Sequence, residues 1–129
     1  MRRLSDETVL AVGRLTLAAT ELEFVLAWIG ADQAGGDRAA VFAAPGEPLR
    51  AARGSVQFAS PDRRDEFIGL VEAAAMYLAQ SQAAVRSMWS EGSRVDAATF
   101  DDIAGFLLRC RDRLQALLDE VEAGRAPAR

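Results

Sequence analysis

The chain has 129 residues, half of them apolar, with 15 basic and 19 acidic side chains and a formal charge of −4. That length fits one domain with a core of its own, and no disulfide or metal staple is needed. A net acidic chain argues against a general affinity for nucleic acid or anionic membrane, which needs a positive field.

Every basic residue is arginine, histidine is absent, and 26 residues are alanine, which favours helix and lets helices approach closely. The single cysteine, Cys110, cannot close an internal disulfide, so nothing asks for an oxidising compartment and the cytoplasm is the expected location. The beginning, Met1-Arg2-Arg3-Leu4-Ser5-Asp6-Glu7, turns acidic before any apolar run, unlike a signal peptide. The most apolar stretch, 9–29, carries Arg14, Glu21 and Glu23, charges that are expensive inside a bilayer, and no membrane span is expected.

In chain order, Ser5 is a helix cap, with Asp6 and Glu7 well placed against the helix dipole. The helix it opens is expected to run to about Ala31. Val12, Leu15, Ala19, Leu22, Leu26 and Ile29 alternate by three and four and form one core stripe. Leu10, Leu17, Phe24 and Trp28 form a second stripe, so this helix must be covered on more than one side, by its own chain or by a second copy. Leu17, Phe24 and Trp28 are therefore interface candidates, and the protein is expected to be a homo-oligomer.

Gly35-Gly36 ends the helix, 37–44 has room for a short turn, and Pro45-Gly46 breaks the chain again. Pro48 suits a first helical position, and Leu49, Ala52, Val56 and Ala59 predict a short second helix weakened by Gly54. Ser60-Pro61-Asp62 starts a third helix, expected to reach Glu91 and stop at Gly92. Its stripe is Phe67, Val71, Ala74, Leu78, Ser81, Val85 and Met88. A fourth helix begins at Asp96 or Thr99 and carries Phe100, Ile103, Leu107, Cys110, Leu114, Leu117 and Val121. The pattern predicts an all-α fold, an up-and-down helical bundle of three long helices and one short helix over 1–123, with a mobile tail at 124–129.

Without histidine or lysine the usual nucleophilic triads, Schiff bases and phosphate-cradling loops have no residues to build them. One cysteine and no histidine also remove ordinary zinc, haem and iron–sulfur sites, so no metal and no cofactor is expected. Cys110 falls on a core stripe and reads as a small buried side chain. Asp101-Asp102 and Asp119, Glu120 and Glu122 read as solvated helix ends. Among Arg109, Arg111 and Arg113 sits Asp112, which favours a salt-bridged surface over an RNA-binding patch. Glu21 and Glu23 interrupt the most apolar helix. A carboxylate there must reach solvent, find an arginine, or serve a ligand or an interface.

The stretch Val12-Gly13-Arg14-Leu15-Thr16-Leu17-Ala18-Ala19-Thr20-Glu21-Leu22-Glu23, with Ser81-Gln82-Ala83-Ala84-Val85-Arg86-Ser87-Met88-Trp89 far downstream, resembles small bacterial members of the HEPN family. The resemblance implies a four-helix bundle, usually dimeric, in a family with many metal-independent ribonucleases and toxin components. The family motif is an arginine, a polar residue that is often asparagine, and then a histidine. Ser81, Gln82 and Arg86 stand at those positions, so the implied protein keeps the fold and lacks the histidine-dependent chemistry. RNA cleavage without metal needs a group that exchanges protons near neutrality, which arginine does not. The expected function is a non-catalytic binding or scaffold protein, a homodimer or one half of a pair with a partner protein. Ser81, Gln82, Arg86, Trp89 and Glu21 are its candidate binding residues. The alternative is a HEPN-like ribonuclease toxin, or another enzyme with a carboxylate and arginine site.

Overall fold

Ser5 caps the first helix through its Oγ, which accepts from the Thr8 amide at 3.1 Å, and α1 spans Asp6–Ala34. It outruns the expected end at Ala31 by one turn. The stop comes where Gly35 takes φ +69, a left-handed conformation suited to glycine, and Gly36 donates back to the Ala31 carbonyl at 2.9 Å. The 37–44 turn forms as α2 (Arg38–Ala43), capped by Asp37.

The helix expected over 48–59 is cut in two. Its first part is α3 (Glu47–Arg53), and a single 3-10 turn follows at Val56–Phe58. Between them Gly54 ends the helical run, and the buried Ser55 turns its hydroxyl back to the Ala51 carbonyl at 2.7 Å. Pro61–Arg63 is a second 3-10 turn, and the long helix α4 starts only at Arg64. It ends at Ser87, short of the expected Glu91, and Met88 to Ser90 close it with i to i−3 bonds. Glu91 and Gly92 lie outside the residues that this computed structural model describes, which are 4–90 and 95–125. Asp96 caps α5 (Ala97–Gly124), its carboxylate accepting from the Thr99 amide at 3.0 Å. Among the described residues all regular structure is helical, and no helix is long and apolar enough to cross a membrane.

The cross-links between helices give their directions. Arg14 pairs with Asp101, Glu21 with Arg111 and Asp32 with Arg125, a sequence that climbs on both sides, so α1 and α5 run parallel. Arg63 with Glu120, the Cys110 thiol on the Leu70 carbonyl and Tyr77 stacked on Phe106 run oppositely, so α4 is antiparallel to both. Arg125, expected in an unpacked tail, donates to Asp32 at 2.8 Å, while 126–129 lie outside the described residues. The core joins Leu15, Leu22, Leu26, Phe67, Val71, Phe100, Leu107 and Leu114, all buried.

α3 lies over α1 and α4 at one end only. It comes close at Gly30, where an added Cβ would stand 2.9 Å from the Ala51 carbonyl carbon, and Arg53 ties it to Glu72 of α4. On that side of α1, Ala27, Gly30 and Ala31 are buried. Two turns earlier on the same side of α1, a cleft opens between α1 and α4.

Candidate binding cleft and the outer face of the first helix

The cleft has a volume of about 280 Å³. Leu15 and Ala19 of α1 and Leu78 and Val85 of α4 make its apolar floor. Thr16, Thr20 and Glu23 supply the polar wall on α1 because residues spaced by three and four share a helix face. Ser81, Gln82 and Arg86 supply the opposite wall, Gln82 and Arg86 one turn apart and Ser81 beside Gln82.

Each polar group has a distinct state. The threonine hydroxyls donate to carbonyls one turn back, Thr16 to Val12 at 2.9 Å and Thr20 to Thr16 at 3.0 Å, which leaves their oxygens able to accept. Ser81 is buried, its Oγ donating to the Leu78 carbonyl at 2.8 Å. Glu23 is half-buried, and loss of hydration pushes its carboxyl above the ordinary glutamate range. Among the described residues neither Glu23 nor Arg86 has an ion-pair partner. They contrast with Arg14, Arg50, Arg53, Arg63, Arg111 and Arg125, each held by a carboxylate.

The cleft therefore gathers three of the five binding residues picked from sequence, Ser81, Gln82 and Arg86. Trp89 follows in the turn after α4, largely exposed at 64%, and does not line the cleft. Glu21 points elsewhere. Its carboxylate accepts from Arg111 at 2.6 Å in a shallow groove beside Phe24 and Phe42, so the arginine partner expected for it is present. Sequence reading weighed both glutamates and chose Glu21, whereas Glu23 faces the cleft. The available signal was the polar series Thr16, Thr20 and Glu23 on one side of an otherwise apolar helix.

The interface candidates divide as well. Leu17 is 64% exposed and Leu10 62% exposed. Phe24 packs edge-on against Phe42 of α2 at 5.4 Å between ring centres, and the Arg38 guanidinium lies 3.3 Å from the Trp28 ring centre. Part of the second stripe is thus covered by the chain's own α2, and its N-terminal half is bare. Elsewhere Arg111 bonds Asp112 at 2.7 Å, as a salt-bridged surface requires, and Arg109 rests over Phe106. Cys110 is buried, and loss of hydration pushes its thiol up to about 11.

No protein-family model, no curated protein and no solved structure matches this chain.

Proposed function

We propose that this protein is a non-catalytic binding or scaffold protein, an up-and-down bundle of three long helices with the short α2 and α3 packed on it, that works in the cytoplasm as a homodimer or as one half of a two-protein system. The observation that carries the reading is the α1–α4 cleft, where Glu23 and Arg86 stand over an apolar floor with no ion-pair partner among the described residues. A charge left unpaired at a part-apolar wall gains by meeting a ligand of opposite sign. Ser81, Gln82 and Arg86 add donors and acceptors, and arginine holds an anion without exchanging protons. This agrees with the HEPN-like resemblance, in which Arg86 stands where the family has its catalytic histidine.

The partner that fits the outer face of α1 is a second copy. Leu10, Leu17 and Phe24 are spaced by sevens, two heptad steps along one face. Antiparallel pairing about a twofold axis at Leu17 sets Leu10 against Phe24 of the second copy. Arg14 and Glu21 lie on one flank, where they already pair with Asp101 and Arg111 of α5. Gly13 on the other flank has open space around it, so a helix can approach closely.

A single-turnover incubation with labelled RNA is expected to leave the RNA intact. Cleavage that disappears in Arg86→Ala overturns the non-catalytic reading. A second reading rests on Glu23, since a carboxyl raised by burial in a cleft has the acid–base character that an enzyme uses. Cleavage lost in Glu23→Gln would favour that reading, a HEPN-like ribonuclease toxin or another enzyme with a carboxylate and arginine site.

A further inference from the structure

A second cavity, of about 390 Å³, lies at the opposite end of the bundle, where the C-terminal turns of α5 meet the start of α4. Phe58, Leu117 and Val121 give it apolar walls, and three arginines line it, Arg63, Arg64 and Arg125. Two of the three are neutralised. Arg63 pairs with Glu66 at 3.0 Å and with Glu120 at 3.5 Å, and Arg125 with Asp32 at 2.8 Å. Among the described residues Arg64 has only a neutral partner, donating from Nη2 to the Gln57 side-chain oxygen at 2.9 Å, and its buried Nε–H has no hydrogen-bond partner.

A part-buried guanidinium with no carboxylate partner among the described residues is costly unless something supplies an anion. We infer that this cavity is a binding site for a small monocarboxylate with an apolar body, its carboxylate neutralising Arg64 and its body resting on Phe58, Leu117 and Val121. The charge count favours one negative charge. Arg63 takes both Glu66 and Glu120 and Arg125 takes Asp32, so Arg64 alone of the three has no carboxylate partner among the described residues, and one carboxylate would match it. Inorganic phosphate would bring charge but leave the apolar walls unfilled. Planar carboxylate also matches the fork of guanidinium donors.

The test is a titration of the intact protein with benzoate, benzyl alcohol and inorganic phosphate in turn, followed on the Arg64 Nε–Hε resonance by nitrogen-15 NMR. Benzoate is expected to move that resonance saturably while benzyl alcohol leaves it in place. Arg64→Met should weaken benzoate binding at least about tenfold, the loss of one charge-assisted contact, as read by calorimetry. Should that variant melt early, Val121→Trp supplies the check, since it fills the cavity, keeps Arg64 and should abolish the shift. Equal response to benzyl alcohol, a response to phosphate alone, or unchanged benzoate affinity in Val121→Trp overturns the inference.

Discussion

Two side chains illustrate opposite outcomes of burial for an ionisable group. Cys110 sits on the α5 stripe, its thiol donating to the Leu70 carbonyl at 3.4 Å, and burial raises its pKa to about 11. A thiol reagent such as Ellman's at pH 8 should leave folded protein unmodified and label one thiol per chain in denaturant. Rapid labelling of the native protein would contradict the packing. Glu23 is also raised by burial but lines a cleft. Because its folded pKa exceeds its unfolded value, its stabilising contribution is complete below the ordinary glutamate range and is lost as pH rises through the raised value. Glu23→Gln should therefore melt higher than wild type at pH 7, with the gap closing as the medium is acidified through the carboxylate range. Asp32 and Asp101, lowered by Arg125 and Arg14, carry the opposite sign and lose their contribution on acidification. A Glu23→Gln variant no more stable than wild type at neutral pH would show that its carboxyl is solvated. At this scale the walls of the cleft were half legible. Ser81, Gln82 and Arg86 came through the motif register, but the choice between Glu21 and Glu23 depended on which side of α1 the short α3 leaves open, and local spacing does not carry that.

Among the elements, the long helices were legible because their apolar spacing and caps agree. Ser5 and Asp96 both cap where the sequence places them. The second helix was read too long because its stripe continues past Gly54, while the backbone breaks there and Ser55 bonds locally. α4 ends early at Ser87 since nothing in the alanine-rich pattern marks its last turn. α3 matters most for the proposed site, because its seven residues fill one end of the α1–α4 groove and leave the other as the cleft. Its seat depends on Gly30. Gly30→Ala would push a methyl into Ala51 and should cost about 1–3 kcal/mol of stability in urea unfolding, the usual range for overpacking. Adding Ala51→Gly should return part of that loss. A neutral Gly30→Ala would mean that α3 is not held against α1 in solution.

For the molecule as a whole, exposed arginine ion pairs link helices that the buried apolar core holds together. Ion pairs join α1 to α5 and the residue after it at three levels, α3 to α4 at one, and the 3-10 turn before α4 to α5 at one. They leave Leu10 and Leu17 as a bare apolar line on the outer side of α1. The excess apolar surface of α1 was legible in the sequence. The division of that surface was not, because α2 claims Trp28 and part of Phe24 through contacts between distant segments. Leu17 is thus a cleaner probe than Phe24, whose replacement would also disturb α2. The most direct test is molar mass by light scattering at tens of micromolar for wild type and Leu17→Asp, with circular dichroism recorded on both. Wild type should have twice the chain mass of 13.9 kDa, and Leu17→Asp should fall to 13.9 kDa with its helix signal unchanged. A monomeric wild type, or a dimer indifferent to Leu17→Asp, would contradict a homodimer built on the outer face of α1.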